Sequence, residues 1–211
     1  MSKLQRPLML SLLFAALAGS LSGCFAVVAG GAVTGTLAAA DRRTLGAQTE
    51  DKAIEVKSEV NLPKVVGDAG HVNVNSFNRR ALITGEVRDE AMKQAVENEV
   101  RGIQGVLSVS NELEIAGPSS YTSRSNDALL TTKVKASLVD TKDISANSFK
   151  VTTERGAVYL MGRVTQREGQ VAADVARGVN GVNKVVKIFE YITEDEWRSY
   201  QPKPSTTQAA N

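Results

Sequence analysis

The 211-residue chain carries 25 basic and 23 acidic side chains, and 5% of it is aromatic. Near neutrality leaves no bulk-charge case for a nucleic-acid partner. Val, Ile, Leu and Ala must build any core, and the single cysteine, Cys24, excludes an intramolecular disulfide. With one histidine, His71, the chain offers little for a zinc site, and a Ser-His-Asp centre would have to rest on that one imidazole. His71 falls just before the first expected strand, where a surface role is the reading.

The residues before Cys24 have the three parts of an export signal. Lys3 and Arg6 precede an uncharged Leu/Ala-rich run over 7–23, and small residues lead to Cys24. No charge occurs from Pro7 to Ala40, and about 20 apolar residues span a bilayer, so a retained signal anchor is the competing reading. After Cys24, however, "AVVAGGAVTGTLAAA" (26–40) is Gly/Ala-rich and makes poor spanning material. Leu21-Ser22-Gly23-Cys24 resembles the lipobox of bacterial lipoproteins. That resemblance implies a signal peptide over 1–23, cut before Cys24. It also implies covalent diacylglycerol and N-acyl chains on that thiol, with no separate cofactor. Each buried acyl CH₂ contributes ~0.8 kcal/mol, so several chains make a stable anchor. Phe25, where Asp would signal inner-membrane retention in that class, implies outer-membrane sorting. Residues 24–48 read as a flexible collar, with Gly31 and Gly35 in a G-x-x-x-G spacing that the small, glycine-rich context explains without helix packing.

Beyond the collar one pattern is written twice. Helix-like stretches over 51–62 and 126–139 are each followed by alternating apolar and polar residues, "VNVNSFNRRALITGEV" (72–87) and "FKVTTERGAVYLMGRV" (149–164). Polar tips, "SFNRR" and "TTERG", separate two strands in each copy. Helix-like stretches follow over 89–101 and 166–177, leading into "VRGIQGVLSVSNELEI" and "ARGVNGVNKVVKIFEYI". Arg101/Arg177, Gly102/Gly178, Gly105/Gly181 and Val106/Val182 recur 76 positions apart. The order helix-strand-strand-helix-strand predicts an α+β fold. A tight hairpin makes the first two strands antiparallel, and the helical crossover sets the third parallel to the second. Two tandem αββαβ domains follow, over 49–115 and 126–192, each a three-stranded mixed sheet covered by two helices. Residues 116–125, rich in Gly, Pro and Ser, read as a linker, and 193–211 as a C-terminal tail. Within that tail Thr193 and Glu196 suggest a short capped helix. The glycines at 102, 105, 178 and 181 read as turn punctuation and carry no phosphate-binding motif. No enzyme is expected.

The strand "VYLMGRV", its following helix and the "GVNGVNKV" turn resemble the BON domain, a bacterial periplasmic and outer-membrane module. Two copies behind a lipobox and collar resemble the dual BON-domain lipoproteins of Gram-negative outer membranes. The resemblance covers the chain up to its terminal tail. It implies binding to anionic phospholipid through the first helix of the second copy, support of outer-membrane integrity, and gathering at division sites.

Charge distribution points to the same copy. Residues 49–115 hold eight basic and twelve acidic side chains, a net of −4, whereas 126–192 hold ten and seven, a net of +3. In the helix over 126–139, Leu130, Val134 and Leu138 form the core stripe. Leu129 lies about 100° around from Leu130, on a face with Lys133 and Ala136, while Lys135 lies on the polar side. A leucine entering the acyl boundary beside an ammonium held at the phosphates suits a shallow membrane contact. Isolated exposed leucines are common, and at Leu129 the family pattern favours an aromatic residue. A scaffold that engages an outer-membrane assembly or cell-wall protein through the acidic first copy is the alternative partner reading.

Overall fold

The structure, a computed structural model, describes residues 41–200. The expectations for Cys24, the signal peptide, the collar up to Ala40 and the last eleven residues lie outside that range. The described helices and strands form two successive αββαβ units, as the repeat predicts, with a short extra strand in the first and a short helix after the second.

The first unit opens with α1 (Leu45–Val66), which starts where the Thr44 side chain accepts from the Ala47 N–H. Ala47, Asp51, Ile54, Ser58, Leu62 and Val66 form its buried stripe at helical spacing. Pro63, which offers no N–H, sits in the last turn, and Gly67 closes the helix by donating its N–H to the Pro63 carbonyl. Strands β1 (His71–Phe77) and β2 (Arg80–Val87) pair antiparallel around a two-residue turn, Asn78-Arg79, with φ of 50° and 64°. Two left-handed residues are what a hairpin needs to match the strands' twist. Helix α2 (Glu90–Gly102), capped by Asp89, crosses to β3 (Ser108–Asn111) and β4 (Glu114–Ile115), both parallel to β2.

The second unit repeats this order with α3 (Tyr121–Val139), β5 (Phe149–Glu154), β6 (Ala157–Val164), α4 (Gln166–Gly178) and an unbroken β7 (Lys184–Tyr191). Its sheet order is β5-β6-β7, antiparallel then parallel. Gly105 and Gly181 take φ near 104° and 102° at the equivalent helix-to-strand turns, a conformation that side chains resist. Two expectations change. α1 is longer than 51–62, because its capping signal lies at Thr44 and its stop at Gly67. α3 begins at Tyr121, inside the expected linker, because Ser120 accepts from the Ser123 N–H and so starts a helix that composition read as loop. Helix α5 (Glu194–Ser199) confirms the Thr193 cap, and Trp197 Nε1 donates to Glu168 at 2.9 Å, so this segment packs on the second unit.

Strand alternation decides how the units meet. Val158, Leu160 and Val164 of β6 point to the helices, in a core with Val134, Leu138, Ala172, Ala173 and Ala176. Ala157, Tyr159 and Met161 point the other way and pack with Phe77 and Leu82 of the first unit. On β2, Ala81, Ile83 and Val87 likewise enter their own helix-side core. The helix-free faces of the two sheets therefore close on each other, and the central strands are buried on both sides. A unit of this size is marginal alone, and each large apolar side chain buried in the seam contributes about 1.5–3 kcal/mol.

Polar groups fix the register of this seam. Lys150 of β5 donates to Glu55 of α1 and to the Ser76 carbonyl at 3.2 Å. Desolvation pushes the Glu55 carboxyl up, but the hydrogen bonds from Lys150 and the Ser76 N–H outweigh it and hold the group below its ordinary range. Asn78 donates to Glu190 at 2.7 Å, and Asn73 to Glu154 at 3.2 Å.

Candidate membrane-contact face

Helix α3 is fixed to its own domain by one stripe. Asp127, Leu130, Val134 and Leu138 are buried along it. Asp127 accepts from the N–H groups of Arg155 and Gly156, both at 2.9 Å, which satisfies the donors of the left-handed hairpin turn. Asp51 serves the first domain identically, accepting from Asn78 and Arg79. Thr131 Oγ1 donates to Thr153 Oγ1 at 2.8 Å, a second tie between helix and sheet.

The opposite side faces water. Leu129 is 62% exposed, and Lys133, Lys135 and Ala136 are exposed as well. At 100° per residue, Leu129, Lys133 and Ala136 fall within roughly 60° of one another. Lys135 stands about 120° around from Leu129, on the flank. The structure thus brings three of the four expected residues onto one face and sets the fourth beside it. Among the described residues no salt bridge involves Lys133 or Lys135, so neither ammonium must leave a partner to meet a phosphate. α3 carries Arg124, Lys133 and Lys135 against Asp127 alone.

Two exposed apolar residues escaped the sequence reading. Tyr121, 83% exposed, and Val139, 69% exposed, lie toward the two ends of the helix, about 80° around from Leu129 and nearer the Lys135 flank. Tyr121 was hidden by the linker assignment, and the Ser120-x-x-Ser123 capping pattern was the signal for it. Its ring centroid lies 4.6 Å from the Arg124 guanidinium, a cation–π pair. An aromatic ring with a polar tip suits the headgroup region, so α3 supplies from its first turn what Leu129 lacks. Beside the face runs a groove of about 660 Å³, lined by Leu129 and Lys133 on one wall and by Arg155, Asn180 and Asn183 on the other. Its lining is polar and includes Asp127; of its two cations, Lys133 has no salt bridge among the described residues and Arg155 is held by Glu114 at 3.1 Å.

The first domain offers a different surface. α1 exposes Val56 and Val60, 46% and 60%, but among Glu50, Asp51, Glu55 and Glu59 against three lysines. No described helix is long and apolar enough to cross a membrane.

The BON domain family matches residues 50–117 and 126–192, the two αββαβ units in turn, and the chain belongs to that family. Its similarity to individual relatives spans both copies. The chain is 37% identical over 174 residues to the outer membrane lipoprotein DolP of Haemophilus influenzae, covering 82% of this chain and 90% of that one. It is 31% identical to the 21 kDa hemolysin of Actinobacillus pleuropneumoniae, covering 72% and 79%. It is 28% identical to osmotically-inducible protein Y of Escherichia coli K12, covering 54% and 58%.

Proposed function

We propose that this protein is a non-enzymatic lipoprotein of the outer membrane, held on the periplasmic side by acyl chains on Cys24. It grips anionic phospholipid through the outer face of α3 and so supports envelope integrity, acting at division sites. The observation that carries this reading is the solvent-facing Leu129 beside the unpaired Lys133, on a helix whose opposite stripe is already committed to the core. A basic side chain near an anionic surface contributes about 1 kcal/mol, and an inserted leucine about 1.5–3 kcal/mol. Together these make a weak contact that the acyl anchor keeps at high local concentration. The similarity to an outer membrane lipoprotein supports the placement.

The test uses residues 41–211, which lack Cys24 and form a compact unit of their own. Vesicles with and without anionic lipid are compared across a salt series. Binding that needs anionic lipid, weakens with salt and drops at least tenfold in Leu129→Glu supports the reading. Equal binding by that variant overturns it. The acidic first domain, with Val56 and Val60 exposed on α1, favours a second role as a scaffold for an outer-membrane assembly or cell-wall protein.

A further inference from the structure

Three ionisable side chains meet at the seam between the domains, outside any surface used above. His71 starts β1, Glu86 lies opposite it in the β1–β2 register, and Glu154 ends β5 of the second domain. Glu86 is fully buried, and its Oε1 has no hydrogen-bond partner among the described residues; neither has His71 Nδ1. His71 Nδ1 lies 3.6 Å from Glu86 Oε2 and 4.0 Å from Glu154 Oε1, too far for hydrogen bonds. One ligand atom from each of the three residues lies within 4.8 Å of the others.

We infer that His71, Glu86 and Glu154 form a divalent-metal site, of zinc type, that clasps the two BON domains together. An imidazole nitrogen and two carboxylate oxygens are three zinc-compatible ligands, with the fourth position left to solvent. Zinc bonds of about 2.0–2.2 Å place tetrahedral ligands about 3.3–3.6 Å apart, so the two measured gaps need to close only slightly. The orienting groups are in place. The Ser119 N–H donates to Glu86 Oε2 at 3.1 Å, and Asn73 Nδ2 donates to Glu154 Oε2 at 3.2 Å. Outer partners of this kind fix ligand direction in metal sites.

Charge argues the same way. Glu86, Glu154 and Asp127 face Arg124 and Arg155 here, and Asp127 is already satisfied by two backbone N–H groups. Arg155 Nη1 stands 3.6 Å from Glu86 Oε1, while its Nε is held by Glu114 at 3.1 Å. Because Arg155 is shared with Glu114, the carboxylates gathered here outnumber the guanidiniums that face them, and crowded buried carboxylate charge is costly. A bound cation offsets it. Calcium wants six to eight oxygens and magnesium keeps several waters, so neither fits one nitrogen and two carboxylates. A groove of about 460 Å³, lined by His71, Asn73, Arg124, Asp127 and Glu154, gives the ion a way in.

The test is titration of the metal-free full chain in detergent with zinc chloride, followed by calorimetry and thermal unfolding. One equivalent should bind at the seam and raise the melting temperature, with affinity falling at least tenfold in His71→Ala and in Glu154→Gln. Cys24 is common to all three proteins, so zinc held by a free thiol cancels in the comparison. Cobalt(II) reads the site in the wild type alone, without relying on a variant that folds. Tetrahedral nitrogen–oxygen ligation gives visible bands without thiolate charge transfer. Equal zinc binding by wild type and variants, or a cobalt spectrum without those bands, overturns the site.

Discussion

Arg42 and Glu168, 126 residues apart, form a buried two-pronged ion pair with both contacts at 2.7 Å. Arg42 also donates to the Arg163 carbonyl at 2.9 Å, and Glu168 receives Trp197 Nε1. The segment just before α1 is thereby fastened to the second domain. Removing one partner of a buried pair leaves an uncompensated charge, at a cost of about 3–5 kcal/mol. Arg42→Ala should lower the melting temperature by roughly 10 °C, with far less change for Arg198→Ala, whose pair with Asp195 is exposed. Similar melting of the two variants would show that Arg42 is not a tether.

The same carboxylate sets an acid limit. Burial pushes Glu168 up, but hydrogen bonds from Arg42, the Thr165 N–H and Trp197 outweigh it and hold the group below its ordinary 4.5. A depressed carboxylate contributes fully above its unfolded value and loses that contribution as pH falls through the folded one. The contribution of Glu168 should therefore be constant from neutrality to about pH 5 and fall below 4.5, and Glu168→Gln should flatten the acid slope below 4.5 while lowering stability at pH 7. Denaturant midpoints across pH read this directly, and an unchanged acid slope in the variant counts against it.

Asp51 and Asp127 occupy one position of the repeat, each clamping the two N–H groups of its left-handed turn. Replacing Asp127 with Ala strands two donors and should cost about 2–4 kcal/mol. Asn, which keeps one acceptor oxygen, should cost less. The ordering Ala worse than Asn worse than wild type is the result to look for in urea midpoints; a reversed order would mean the carboxylate is not the clamp.

The two-copy architecture was legible because alternation on β2 and β6 and the Arg-Gly-x-x-Gly-Val phrase are local signals. Helix-side core residues followed from the same spacing, including Leu130, Val134 and Leu138. The outward position of Leu129 was legible too, being one helical step from that stripe. What local pattern cannot show is which sheet face meets which. The seam of Leu82, Tyr159 and Met161, and the meeting of His71 with Glu154, arise from packing between residues more than 75 positions apart. His71 therefore read as a surface residue, although its imidazole faces two carboxylates. The separation of Lys135 from the Leu129–Lys133 face, by contrast, was legible from the helical step alone.

That angle makes a sharp test of the membrane face. Lys133 shares the Leu129 side and lines the groove, whereas Lys135 stands on the flank. Reversing one charge near an anionic surface costs about 2 kcal/mol, so Lys133→Glu should weaken vesicle binding by more than tenfold. Lys135→Glu should weaken it less, and Tyr121→Ala should weaken it with little effect on salt dependence. Co-sedimentation of residues 41–211 with anionic vesicles ranks the three. Equal losses for the two lysines would mean that general charge, not this face, drives the contact.

Leu82 and Ile83 are neighbours on β2 with opposite duties, since Leu82 enters the seam and Ile83 the helix-side core of the first domain. Both are fully buried, so either change to Ala should cost about 2–5 kcal/mol. The consequences should differ. Trp197 is the only tryptophan and packs on the second domain, so its emission follows that domain, while far-ultraviolet circular dichroism follows both. Ile83→Ala weakens the first domain but leaves the seam intact, so the domains still unfold together and both probes shift to one lower urea midpoint. Leu82→Ala weakens the seam itself, and the first domain, no longer held by the second, should unfold ahead of the Trp197 signal. Coincident probes in Leu82→Ala would mean that polar ties such as Lys150–Glu55 and Arg42–Glu168, rather than apolar burial, hold the two domains as one cooperative unit.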